Sequence, residues 1–437
     1  MAPEEGLEPS TPRLTAACST IELLWIPKRT RNVLNRSFSR QRIFPSDTPA
    51  LPLSPFSQPH FPTVRRNRLS PRGFRLAGYQ SALNVCRVIS PTDEEPFGSH
   101  ARMLYARDES QRQLHANAVA ATSRFGRKVF LRAVVEVSNY CRENCTYCGM
   151  RRDNRALHRF RANHDELANL LIHHRPPSIT DVNIQTGEDP LAIENLVLPL
   201  IRTLHRETNL GVSVCLGTLR PEIYSELQSA GASIYIMKFE IADARLYETM
   251  EAPGTLSERL EHIRHLAATG WDVSSGFIAG LPGQDTDSLL ANFALARQLP
   301  LAGCSVSPFI PGESTPLAHA PTADIDTVLN CMAMLRLMRP DWVIPAVSAL
   351  NLAEPETGYR RGLATGANLV TMNLTPSHMR DDYVLYKRDR FIMTEERILS
   401  AIAAEGLTPS KQSLANYYRT QRASRRHPST GSLTAVR

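Results

Sequence analysis

Ser138-Asn139-Tyr140-Cys141-Arg142-Glu143-Asn144-Cys145-Thr146-Tyr147-Cys148-Gly149-Met150 carries the decision about this chain. Its cysteines are spaced C-x3-C-x2-C. Three thiolates so placed can hold three irons of a [4Fe-4S] cubane and leave the fourth iron open. Soft thiolates select iron–sulfur clusters or zinc. Zinc is the competing reading, and it wants a fourth protein ligand in a closed tetrahedral site. His158 is the nearest candidate, and the chain has no second C-x-x-C pair.

Outward from this string the chain alternates strand-like and helix-like segments, the pattern of a parallel α/β fold. Apolar, β-branched runs cover 129–137, 181–186, 211–216, 233–238, 273–280, 303–309, 342–347 and 368–373. Helical patterns cover 165–174, 222–230, 256–268, 286–298 and 323–337, with Gly231, Gly270 and Gly366 placed to stop helices. Eight strands with intervening helices predict a (β/α)8 TIM-type barrel, with a doubly wound sheet as the alternative. Chemistry in such barrels lies at the C-terminal ends of the strands. The cysteines follow the first strand, Gly187-Glu188-Asp189 the second, Glu240 the fourth and Gly280-Leu281-Pro282-Gly283 the fifth.

At 437 residues the chain can hold one domain of about 250–300 residues and further segments. We divide it into an N-terminal extension (1–80), a helical lead-in (81–125, with a helix over 101–124), the barrel (126–392), a C-terminal helix (393–417) and a basic tail (418–437). The extension is rich in Pro, Ser and Arg and cannot build a core. It reads as disordered, as a transit peptide, or as sequence upstream of the true start. The net charge of +7 misleads, because residues 1–80 hold twelve Lys or Arg against five Asp or Glu and the remainder is neutral. A basic footprint for nucleic acid is therefore not expected on the folded part. No apolar run of about 18 residues offers a membrane span. Eight cysteines without a secretory signal point to a reducing compartment, the cytoplasm.

The string 138–154, SNYCRENCTYCGMRRDN, resembles the cluster loop of radical S-adenosylmethionine (SAM) enzymes of the biotin-synthase group. QTGEDP (185–190), FIAGLPGQ (277–284), PFIPGESTPL (308–317), the IPA at 344–346 and GANLVTMNLTP (366–376) are similar, in order, to motifs of the [FeFe] hydrogenase maturases within that group. The resemblance implies a [4Fe-4S] cluster held by Cys141, Cys145 and Cys148, with SAM at the open iron. It implies reductive cleavage of SAM to a 5′-deoxyadenosyl radical that abstracts hydrogen from a small, amino-acid-like substrate. It implies a reducing electron donor such as flavodoxin or ferredoxin.

By position, the resemblance assigns SAM contacts to Tyr147, Gly187, Glu188, Asp189, Glu240, Arg259, Gly280 and Leu281. For Glu240 the alternative is an ion pair with Lys238. Substrate contacts are expected from Thr186, Ser213, Thr218, Ser348 and Arg380, with Ser274 and Asn373 as further candidates. A sulfur-donating second cluster of the biotin-synthase kind lacks its expected ligands, since Ser213 and Ser274 stand at two of those positions. No cysteine follows Cys331, so a single cluster is expected. Sulfur transfer of the biotin-synthase type, a mutase of the methylornithine-synthase type, and a non-enzymatic iron–sulfur or zinc regulatory protein are the alternatives.

Overall fold

Seven of the eight β-branched runs become strands, and these seven run parallel. A computed structural model describes residues 97–388 and 391–426; the N-terminal extension lies outside the described residues. The strands are β1 (Lys128–Ser138), β2 (Asp181–Thr186), β3 (Gly211–Cys215), β4 (Ile234–Ile236), β5 (Asp272–Ala279), β6 (Gly303–Pro308) and β7 (Leu369–Asn373), with a short β8 (Thr408–Pro409). Their order across the sheet is β6-β5-β4-β3-β2-β1-β7, with β8 paired to the start of β1. This sequential parallel order is that of a barrel wall, whereas a doubly wound sheet reverses direction at a switch point.

The expected strand over 342–347 is not a regular one. It makes single bridges from Val343 to Gly303 and from Pro345 to Leu369, spanning the gap between β6 and β7. The cause is chemical: Pro345 has no N–H to give to a ladder. The remaining backbone groups go partly to side chains. Ile344 N–H donates to Asn368 Oδ1 at 2.8 Å. Arg336 Nη1 donates to the Trp342 carbonyl at 2.8 Å.

Alternate residues of each strand face the helices and the lumen. Leu131, Ala133, Val135 and Val137 of β1, and Val182 and Ile184 of β2, belong to the apolar layer beneath the helices. Arg132, Glu136, Asn183 and Gln185 take the opposite face.

Helices 256–268 and 286–298 stand where the sequence placed them. The single lead-in helix expected over 101–124 is instead two, Phe97–Leu104 and Asp108–Ala120. Asn330 takes the Leu104 and Ala106 carbonyls at 3.0 and 2.9 Å, which ends the first helix. The C-terminal segment also divides. Gly406 (φ +64°) closes the helix Glu395–Ala404, and a last helix, Leu414–Arg426, runs past residue 418, where the tail was expected to begin. Asp181 caps that last helix by accepting from the Leu414 and Ala415 N–H groups.

Candidate active site

Beyond Ser138 the chain turns over the strand ends, and every turn of this loop is tied down. Cys145 is buried, and Cys141 and Cys148 are half-buried. Thr146 N–H reaches the Met250 carbonyl at 3.0 Å, Gly149 N–H that of Leu385 at 3.2 Å, and Arg142 N–H that of Glu188 at 3.2 Å. Glu188 N–H lies 3.4 Å from Cys141 Sγ, the outer contact that a thiolate ligand needs. Gly187 is obligatory beneath this loop: a Cβ there would stand 2.2 Å from the Tyr140 carbonyl oxygen and 2.9 Å from Cys141 Cβ.

Burial raises all three thiols: Cys141 moderately, Cys145 well above its ordinary value, and Cys148 to about 12. Mutual repulsion adds to the effect at Cys145 and Cys148. A cluster held there would replace the thiol protons. Among the described residues no three His, Cys, Asp or Glu side chains gather closely enough for a single metal ion. The zinc reading also loses its fourth ligand. His158 is 77% exposed and its Nδ1 meets Asp382 Oδ2 at 2.9 Å. The donor set fits an iron–sulfur cluster.

Beside the loop, Glu188 is clasped by two arginines. Its Oε2 accepts from Arg142 Nη2 at 2.8 Å, and its Oε1 from Arg259 Nη1 at 3.1 Å. Thr218 adds its N–H and hydroxyl, both at 3.3 Å. Arg259 is buried, and its Nε donates to the Lys238 carbonyl at 2.9 Å. Burial opposes its charge, yet Glu188 and Glu240 outweigh that and raise its pKa. Nη2 of Arg259 has no hydrogen bond among the described residues, so one arm of the fork remains to receive a carboxylate.

Asp189 is buried and engaged. Arg161 binds it through Nε and Nη2 at 2.7 and 2.9 Å, and the Ser138 hydroxyl donates at 2.6 Å. Glu240 forms the ion pair weighed in the sequence, at 2.8 Å from Lys238 Nζ, with its backbone at φ +63°. Gly280 (φ +87°) turns against Ala323, and Leu281 is buried behind it. The Tyr147 hydroxyl is buried and meets no partner at hydrogen-bond geometry, although it lies close enough to Cys145 to ease that thiol's ionisation.

A cavity of ≈ 160 Å³ lies in the lumen against β7, β1 and β2. Arg132, Glu136, Asn183, Gln185, Thr371 and Asn373 face it from the strands, Ser348 from the turn after residue 347, and Asn351 and Tyr359 from the short helices Ala349–Ala353 and Gly358–Leu363. Leu385, Tyr386 and Phe391–Met393 also line it. Of the expected substrate contacts, Ser348 and Asn373 stand on this wall. Thr186 (bonded to the Gly187 carbonyl), Ser213 (to Val182 and Asn183), Thr218 (to Glu188) and Arg380 (to the Thr375 carbonyl) do not line it.

Arg132, Glu136, Asn183 and Gln185 were missed. The signal was present, since two charges four apart in an otherwise apolar strand share its lumen face. Burial lowers the Arg132 pKa, and its Nε has no hydrogen-bond partner.

The loop, its half-open guanidinium and the lumen cavity are the features expected of an enzyme of the cluster-and-SAM type. The model of the radical SAM superfamily matches residues 135–296. The chain is 33% identical over 264 residues to the [FeFe] hydrogenase maturase subunit HydE of Thermotoga maritima, covering 60% of this chain and 74% of that protein. It is 25% identical over 296 residues to 3-methylornithine synthase of Methanosarcina acetivorans, covering 66% and 82%. The crystal structure of methylornithine synthase (PylB) shares the fold with a TM-score of 0.66 at 22% identity, over 74% of this chain and 95% of that one. The chain belongs to the radical SAM superfamily. It is an enzyme of that family, whose cofactors are a [4Fe-4S] cluster and SAM. Among the described residues no helix is long and apolar enough to cross a membrane.

Proposed function

We propose that this enzyme acts on a small amino-acid-like substrate held in the lumen cavity, in the manner of the hydrogenase maturase it resembles. The observation that carries this is the pairing of Arg132 and Glu136 on one face of β1 within a polar cavity. A guanidinium deep in the wall suits a carboxylate. A carboxylate two pleats nearer the loop, about 13 Å along the strand, suits an ammonium or another donor.

Cys141, Cys145 and Cys148 hold the cluster. Arg259, fixed by Glu188, offers its remaining arm to the SAM carboxylate, and Tyr147, Gly187, Glu240, Gly280 and Leu281 surround the nucleoside. Together the bound cofactors supply a 5′-deoxyadenosyl radical on one-electron reduction. The chain's own task is to orient the substrate carbon toward that radical and to exclude water. Arg132 and Gln185 do the first; the cover of Leu385, Tyr386 and Phe391–Met393 does the second. The electron comes from an external donor of the flavodoxin or ferredoxin type. Glu188 and Asp189 act on SAM through the groups they fix, since both carboxylates are engaged by arginines.

The relation to 3-methylornithine synthase supports a second reading, a carbon-skeleton rearrangement of an amino acid in the same cavity. Anaerobic reconstitution tests both, with about four irons per chain and 5′-deoxyadenosine release expected. Candidate amino acids and cysteine-derived acids should raise that release, and Arg132→Met should abolish the stimulation while leaving basal release intact. Stimulation that survives Arg132→Met would refute the assignment.

A further inference from the structure

Behind the ligand loop the chain returns antiparallel to the end of β1. Arg161 bridges Ser138, Ala162 N–H reaches the Val137 carbonyl at 2.8 Å, and Phe160 N–H donates to Asn139 Oδ1 at 2.8 Å. This return fixes Arg159. Its guanidinium gathers four backbone carbonyls from both ends of the loop. Nη1 donates to Asn139 O at 2.5 Å and to Met150 O at 2.9 Å. Nη2 donates to Arg151 O at 2.7 Å and Asn154 O at 3.3 Å. Asn139 precedes the first cysteine and Met150 follows the last. One planar fork therefore closes the loop across its neck, a geometry lysine cannot reproduce.

Arg159 also stands within electrostatic reach of the sulfurs. Burial lowers its pKa, and the charges of Cys141 and Cys148 work against that decrease. Among the described residues Arg159 has no carboxylate partner, and its positive charge is directed at the loop it closes.

We propose that Arg159 is a positioning residue for the cluster. It holds the three cysteines in register from behind, and its charge favours the reduced state. Reduction adds one electron from the external donor to the cluster and three thiolates, with no bond made or broken. A fixed, partly buried cation nearby stabilises that extra negative charge.

The test uses the full-length chain, reconstituted without oxygen, as wild type, Arg159→Met and Arg159→Lys. Iron release to a chelator and the cluster's midpoint potential, followed by electron paramagnetic resonance without SAM, are measured beside circular dichroism. Arg159→Met should release iron roughly tenfold faster or more, the worth of one lost charged hydrogen bond. Its remaining cluster should be reduced at a more negative potential. Arg159→Lys should release iron faster than wild type while keeping a potential close to it, because the charge stays and the fork is lost. Wild-type release and potential in a folded Arg159→Met chain would overturn the proposal. If that variant does not fold, unchanged iron release in Arg159→Lys would overturn it alone. A wild-type chain that takes up no cluster would overturn the reading of the whole site, which is a distinguishable result.

Discussion

The clasp on Glu188 is expected to be strongly coupled on one side and weak on the other. The Glu188 and Arg259 side chains are only 9% and 7% exposed and 3.1 Å apart. Removing one partner of a buried pair leaves the other charge without compensation and costs about 3–5 kcal/mol. Arg142 is 52% exposed, so its contact with the same carboxylate is worth no more than about 1 kcal/mol.

Arg259→Met should therefore destabilise the cluster-free chain by about 3 kcal/mol. In a domain of this size that lowers the melting temperature by roughly 6–12 °C, at about 2–4 °C per kcal/mol. Arg142→Met should lower it by only a few degrees. In Glu188→Gln/Arg259→Met the buried carboxylate, left with only Arg142 and Thr218 in the single variant, is gone, and about 2 kcal/mol of the summed single losses should return. Urea and thermal unfolding of cluster-free protein, kept reduced and followed by circular dichroism, measure these three variants and Glu188→Gln. Single losses that simply add, or an Arg142→Met loss equal to that of Arg259→Met, would refute the reasoning.

Gly187→Ala drives a methyl into the Tyr140 carbonyl and Cys141, so it should leave a folded chain that cannot retain a full complement of iron after desalting; full retention would show that the loop is free to shift. At Asp189, burial alone would raise the pKa, but Arg161 and Ser138 overrule it and hold the carboxyl below its ordinary value. Its stabilisation is present above that ordinary value and fades as pH falls through the lower folded one. Asp189→Asn should therefore be less stable than wild type at pH 6 by about 1.5–3 kcal/mol, with the gap in denaturant midpoint narrowing below about pH 4. A gap that widens in acid would contradict this. Tyr147→Phe removes a buried hydroxyl that lacks a geometric partner, so thermal stability should hold or rise by about 1 kcal/mol, and a clear loss would reveal a partner.

The barrel was legible because its strands are apolar, β-branched runs and its intervening helices carry clear stops. Thr286–Gln298 needed only Asp285, which caps its first turn. The seam after β6 was misread because Trp342–Ile344 are apolar enough for a strand, while Pro345 and the side chains of Arg336 and Asn368, which settle the matter, act across distant segments. Likewise the spacing of Cys141, Cys145 and Cys148 announces a site by itself. Which polar residues face the lumen depends on strand phase: Thr186 is out of phase with Asn183 and Gln185, whereas Ser213 pairs with Asn183 on the same face but gives its hydroxyl to Val182 and Asn183. Arg132 and Glu136 are found by asking which charges an apolar strand would tolerate only on its inner face.

The break between β6 and β7 makes the cylinder wall unequal around its circumference. β1 pairs with β2 from Arg132 to Ser138, with a register shift after Glu136, whereas the seam is held by single bridges to Gly303 and Leu369 together with Arg336 and Asn368, and the chain passes from it directly into Ser348 and Asn351. Ser348 and Asn351 are therefore placed on the cavity wall by a segment outside the ladder, whereas Arg132, Glu136, Asn183 and Gln185 are placed there by it.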